Sequence, residues 1–397
     1  MEERIWKAVE SWNAWARKQG EGIPREVAQK AWEMLGGQEA LYFYGPRRAG
    51  KTTVCAQLLC RLSKKFGEES CLFINFEEPA FSGMLTPALI DDVLSHHEMV
   101  HKKMPRFLFL DEVQNVSGWE KWVRSATDKG EFKVFVTGSS AKLLSSEFAT
   151  TLGGRGLGFL VLPFSFCEFR QALPDATLED YLQIGGYPAV VLEKNPQNRM
   201  RLLEEYFETA ISRDIAARHQ VRDVPTLKTL ALYVLTNSGK LFSYNKLRAF
   251  TGLSFDAIKM YLSYLESAFV IFSVPSFSYS LKKAMEKPRK YYAYDVGLAA
   301  AVSKSYSPDF GRKAENLVAI GLVRMGREPQ YYSDKTEVDF VVKDGLKPVG
   351  INVCYLEKPP ARERAALEEF SAAHKNAKTV LIAGKKALGE WLKETGN

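Results

Sequence analysis

The residues Gly45-Pro46-Arg47-Arg48-Ala49-Gly50-Lys51-Thr52-Thr53 fit the pattern G-x-x-x-x-G-K-[ST] at every required position, with an apolar run before them and a helix-forming run from about Lys51. That layout suits a phosphate. Glycines let backbone N–H groups approach the oxygens, the helix N-terminus favours negative charge, and the lysine reaches the outer phosphates. The segment Phe107-Leu108-Phe109-Leu110-Asp111-Glu112 reads as a buried strand ending in two carboxylates. Thr52 and Asp111 are the expected Mg2+ holders. Glu112, one residue beyond, is placed as the base that orients or deprotonates an attacking water. The acid pair argues for nucleotide hydrolysis in addition to binding.

A third run, Thr137-Gly138-Ser139-Ser140, ends another strand in hydroxyls, and Ser139 is expected to sense the terminal phosphate or the lytic water from between the two motifs. A guanine-reading N-K-x-D sequence is absent, which favours ATP with Mg2+ as the bound species. His97-Glu98-Met99-Val100-His101 has the H-E-x-x-H zinc spacing, but Lys102, Lys103 and Pro105 follow at once and the acidic strand begins at Arg106. It is read instead as a helix C-terminus where histidines sit favourably.

Positioning these motifs requires short β-rich runs alternating with helices from Leu41 to Phe166: Leu41–Tyr44, Cys71–Phe76, Phe107–Asp111, Lys133–Thr137 and Gly158–Leu162. Such alternation implies an α/β fold with a parallel sheet covered by helices. The five expected segments are an N-terminal helical segment (1–38), the P-loop core (39–167), a helical lid (168–219), a winged helix (220–305) and a small α/β domain (306–397). The winged-helix reading rests on a helix, a second helix over Ser243–Phe250, a break at Gly252, and a third helix capped by Ser254. Ile258, Leu262, Leu265 and Phe269 share one face of that helix, and strands over Phe272–Ser280 and Lys290–Tyr294 surround a basic loop. Lys282, Lys283, Lys287, Arg289 and Lys290 form the densest basic cluster, near Tyr279, Tyr291 and Tyr292, as a wing gripping DNA phosphates would. The presumed recognition helix shows Asp256 and Glu266 beside Lys259, so contact is expected to be mostly non-specific.

The order Gly45 to Thr53, Asp111-Glu112 with Gln114, Thr137 to Ser139 and Gly154-Arg155 resembles prokaryotic AAA-type ATPases, especially an archaeal family, over nearly the whole chain. Pro163-Phe164-Ser165-Phe166 with Glu168-Phe169, and Gly185-Gly186-Tyr187-Pro188, extend the likeness. The resemblance implies a P-loop AAA-type core with helical lid, winged helix and a degenerate PD-(D/E)xK, restriction-endonuclease-like C-terminal domain. It also implies that Arg155 is a finger whose charge stabilises the transition state, in trans within a homo-oligomer. Arg213-Asp214 matches the family without a chemical role. In the nuclease-like domain the resemblance maps Glu315, Asp339 and Asn352 onto the metal-binding positions. Asn352-Val353-Cys354 stands where Glu-x-Lys is required, so a ligand and the lysine are both missing and cleavage is not expected.

Composition agrees with a multidomain globular protein: 397 residues, 46% hydrophobic and 25% charged. Lys and Arg number 54 against 47 acids, a +7 surplus that mildly favours polyanions. Five cysteines without C-x-x-C pairing, an N-terminus without a signal-peptide layout, and the lack of a long apolar run lead to an expected cytoplasmic protein with no membrane partner. Two functional classes follow: a nucleic-acid-associated ATPase, or an ATP-controlled switch acting through a protein partner without DNA.

Overall fold

Five apolar runs become the parallel strands β1 (Ala40–Tyr44), β2 (Cys71–Asn75), β3 (Phe107–Asp111), β4 (Lys133–Gly138) and β5 (Gly156–Leu160), ordered β2-β3-β4-β1-β5. The interiors of β1 to β4 are almost wholly buried, as strands covered on both faces require, while β5 at the sheet edge is partly exposed. The computed structural model describes residues 2–19, 22–138, 153–303 and 309–396. These fall into two compact units, 1–162 and 163–397.

In the first unit, helices Glu3–Gln19 and Glu26–Glu33 contribute to the core around the sheet. Ile5 and Val9 of helix Glu3–Gln19 pack with β2, β3 and β4 residues on one face, and Ala16, Val27 and Ala31 pack on the other. Asn13 explains the docking. Its amide nitrogen donates to Phe73 O at 2.9 Å and its amide oxygen accepts from Phe73 N at 2.9 Å, so one side chain pairs the outer edge of β2. Helix Lys51–Phe66 follows β1, and helix Pro87–His101 crosses from β2 to β3.

The second unit continues with helices Phe166–Ala172, Leu178–Ile184, Pro188–Leu192 and Pro196–Thr209. The last runs into a π-helical stretch, Ala210–Ala217, that carries Arg213 and Asp214. Helices Val224–Thr236, Tyr244–Thr251 and Phe255–Ser267 then precede an antiparallel pair, β6 (Ile271–Val274) and β7 (Lys290–Ala293). Ile258, Leu262 and Leu265 are buried in one cluster, as their spacing predicts, whereas Phe269 is buried beyond the end of the helix with φ 55°. The strand expected to reach Ser280 stops at Val274, before Pro275, and Ser280 caps a short helix, Leu281–Glu286. Glu266 is half-buried, not displayed, and accepts from Ser273 N at 3.0 Å.

Helix Phe310–Arg324 leads to a second sheet, ordered β11-β10-β9-β8, of β8 (Gln330–Ser333), β9 (Glu337–Asp344), β10 (Lys347–Cys354) and β11 (Lys378–Ala383). Helix Ala361–Ala373 joins β10 to β11, which are parallel, and helix Gly384–Glu394 follows. No helix of the described residues is long and apolar enough to cross a membrane.

Candidate active site

The strand order decides which side chains meet. β4 lies between the loop strand β1 and the acid strand β3, so the C-terminal ends of all three stand together. The turn after β1 needs glycine at Gly45, where φ is 144° and a Cβ would lie 2.2 Å from Val161 O. Arg48 (φ 65°) and Gly50 (φ 96°) are left-handed, and alternation of this kind turns successive N–H groups inward to make an anion cradle. The Lys51 ammonium donates to Gly45 O at 3.1 Å and Pro46 O at 2.9 Å. Arg47 pairs with Glu77 at 3.3 Å, while Arg48 is exposed.

Thr52 Oγ1 donates to the Asp111 carboxylate at 3.1 Å, joining the loop to the end of β3. Thr137 Oγ1 donates to Asp111 Oδ1 at 2.6 Å and accepts from Glu112 N at 2.9 Å, so one β4 hydroxyl fixes both acids. Asp111 is 1% exposed. Burial pushes its carboxyl up to about 7, helped by Glu112 and opposed by the Thr137 and Thr52 hydroxyls and by Lys51. Glu112 adopts φ 53° and its carboxylate accepts from the Gln114 amide. Ser139, the predicted sensor, lies outside the described residues; Thr137 is the β4 hydroxyl within reach.

Arg155 is not beside this cradle. It precedes β5, its O accepts from Ala40 N, and its guanidinium pairs with Asp128. β5 runs parallel to β1 and ends opposite Tyr44, so Arg155 sits a strand length away, roughly 15 Å.

The surroundings of two basic residues escape sequence reading. Arg25 is 3% exposed and its guanidinium donates to Ala49 O at 2.8 Å and Leu162 O at 2.6 Å, bracing the phosphate loop. Its partners lie 24 and 137 residues away, so no local spacing marks it. The other is Lys290, placed by its sequence neighbours in a DNA-gripping wing. It is 2% exposed, and its ammonium lies 3.2 Å from Glu315, 2.6 Å from Glu337 and 4.0 Å from Asp339. Burial alone would lower its pKa, but the three carboxylates raise it, so the lysine stays charged and is paired within the protein. Of the same cluster, Lys282 and Lys283 are exposed, Lys287 donates to Ser333 O at 2.9 Å, and Arg289 donates to Ser273 Oγ at 3.0 Å.

The three positions implied by the nuclease resemblance do come together. Asp339 N donates to Asn352 Oδ1 at 3.1 Å, and Val353 N donates to Asp339 Oδ2 at 2.8 Å. Tyr292 OH donates to Glu315 at 2.6 Å. The Lys290 ammonium of β7 lies between Glu315 and Asp339. Among the described residues no group of three or more His, Cys, Asp or Glu side chains is arranged to hold a metal ion. That includes the H-E-x-x-H segment, where His97 is buried and its Nε2–H donates to Glu69 O at 3.0 Å.

Residues 37–170 match the model of an AAA domain, and residues 175–309 match a domain of unknown function. An uncharacterized Haemophilus influenzae protein is 28% identical over 86% of this chain and 88% of its own length. The AMPPCP-bound DnaA structure from Aquifex aeolicus covers 61% of this chain and 86% of its own at 15% identity, with a TM-score of 0.31. The uncharacterized Methanocaldococcus jannaschii protein MJ1544 is 32% identical over 84% of this chain and 78% of its own length. The chain therefore belongs to the family of that M. jannaschii protein, as an AAA-type, ATP-binding P-loop member whose AAA domain spans residues 37–170.

Proposed function

We propose that this protein is a Mg2+-dependent ATP hydrolase associated with nucleic acid. Gly45 to Thr53 would hold the phosphates, Thr52 and Asp111 the metal ion, and Glu112 would activate water. The observation that carries this reading is the meeting of Thr52 Oγ1 with Asp111 at 3.1 Å, with Glu112 next in the chain. Bound Mg2+ would neutralise phosphate charge as the bond to the leaving oxygen breaks. Asp111 would exchange the Thr52 and Thr137 hydrogen bonds, and any proton it holds near neutrality, for the cation. Lys51 would move its ammonium from two neutral carbonyls to anionic oxygens, a stronger pairing. Arg155 would complete the site in trans, since its own cradle lies a strand length away. On this reading the active form is a homo-oligomer.

Residues 168–219 are read as the lid and 220–305 as a winged helix whose exposed Lys282 and Lys283 meet DNA phosphates. Residues 306–397 are read as a degenerate nuclease-like scaffold. Steady-state ATP turnover, measured against protein concentration with single-stranded, double-stranded and branched DNA, tests the whole. Stimulation by one DNA form, with specific activity rising with protein concentration, is expected. A rate indifferent to DNA favours a second reading, a switch acting on a protein partner. The observation behind that alternative is the loss of Lys290 from the basic cluster and the internal bonds of Lys287 and Arg289.

A further inference from the structure

Gln114 lies in the 3-10 turn Val113–Asn115 that follows Glu112. The left-handed backbone of Glu112, φ 53°, is an uncommon conformation for a side chain of its size. The turn brings the Gln114 amide back against the acid two residues earlier, where its N–H donates to Glu112 Oε2. Chemistry fixes which way that amide faces. An ionised carboxylate only accepts, so the nitrogen must face Glu112 and the amide oxygen must face elsewhere. That oxygen, Gln114 Oε1, is shielded from solvent and finds no hydrogen-bond donor among the described residues.

A buried acceptor left without a donor is destabilising, so such atoms in folded proteins call for a reason. Here the orphan belongs to the side chain that grips the expected base. The same carboxylate is anchored from its backbone by Thr137 Oγ1, which fixes Asp111 as well. Glu112 and Gln114 thus pair a carboxylate acceptor with an unused amide acceptor. A water molecule has two O–H groups and can serve both once a small rotation of the Gln114 side chain opens its oxygen to the site.

We propose that Gln114 is a positioning residue for hydrolysis: its amide N–H holds Glu112, and its amide oxygen accepts one O–H of the water whose other O–H faces Glu112. The inference rests on the reading of Glu112 as the base given above. With both O–H groups engaged, the water's lone pair is left for the γ-phosphorus. The water oxygen then bonds to phosphorus, the bond from phosphorus to the bridging oxygen breaks, and ADP leaves with that electron pair. Glu112 takes one proton and the other stays on the phosphate product. Gln114 gains and loses nothing.

The test compares kcat, KM and the affinity for a fluorescent ATP analogue in wild type, Gln114→Ala, Gln114→Glu and Glu112→Gln. Gln114→Ala is expected to lower kcat about 10- to 100-fold while KM and analogue affinity stay within about twofold. Gln114→Glu keeps an acceptor but sets a like charge beside Glu112. Without an amide N–H it cannot hold the carboxylate, so kcat is expected to fall about 10-fold or more while KM and analogue affinity stay within about twofold. A side chain that only shaped the turn would leave the kcat of this nearly isosteric variant unmoved. A Gln114→Ala rate within about twofold of wild type, or a wild-type kcat in Gln114→Glu, overturns the proposal; should Gln114→Ala misfold on melting analysis, Gln114→Glu decides. Turnover retained by Glu112→Gln, or a wild type without turnover, brings down the hydrolytic reading and this inference with it. An inactive Glu112→Gln beside a wild-type Gln114→Ala overturns this inference alone.

Discussion

Two lysines sit among carboxylates in this chain, and their surroundings suit them to different work. Lys51 rests its ammonium on two loop carbonyls, with Asp111 held separately by threonine hydroxyls. Lys290 is enclosed by Glu315, Glu337 and Asp339 in the other unit. A lysine on neutral acceptors gains by moving to a phosphate. One shared by three acids would leave buried negative charge behind if it moved. The same residue type therefore marks a ligand site in one region and an internal counter-ion in the other, and only the partners tell them apart.

The largest effect separating the two regions belongs to Glu112→Gln, which is expected to cut ATP turnover by about 100- to 10,000-fold while nucleotide affinity is kept. Lys51→Ala should instead weaken binding of a fluorescent ATP analogue by roughly 100-fold or more, through loss of a charge-assisted contact to phosphate. Lys290→Met should leave that affinity alone and destabilise the protein by about 3–5 kcal/mol, read from denaturant melts, because three carboxylates lose their counter-ion. A wild-type melt together with lost nucleotide binding in Lys290→Met would reverse the comparison.

Asp111→Asn sharpens it from the other side. The folded-state pKa of Asp111 is raised to about 7 from an ordinary 3.8, so the folded protein holds the proton longer than the unfolded chain. Stability from this group is present below about pH 4 and is lost as pH rises through 7. Asp111→Asn without nucleotide should therefore raise the melting temperature at pH 8, by the equivalent of about 1–4 kcal/mol, and should gain less at pH 5. No difference between the two pH values would contradict the burial account of this carboxyl. The smallest effect is expected for Lys282→Ala with Lys283→Ala: stability within about 0.5 kcal/mol of wild type, and a DNA-binding salt slope shallower by about one per lysine.

What could be read from the sequence follows the range of the interactions. β1 to β4 are covered on both faces and appear as continuous apolar runs, and the phosphate loop and the acid pair are complete within nine and two residues. β8, Gln330–Ser333, is short and half polar, so its pattern did not mark it as a strand. Arg25 and Lys290 were opaque because their partners are remote in sequence. Lys290 misled further, since Lys282, Lys283, Lys287 and Arg289 beside it are exposed while β7 turns it inward. A run of basic residues reports composition, and the strand decides which member faces solvent.

The most direct test of the central claim is single-turnover release of γ-phosphate from MgATP, by wild type and by Glu112→Gln at equal nucleotide occupancy. The account predicts phosphate release by wild type and trapped, uncleaved ATP in the variant. Equal release by both would contradict the assignment of Glu112 as the group that activates water at this P-loop.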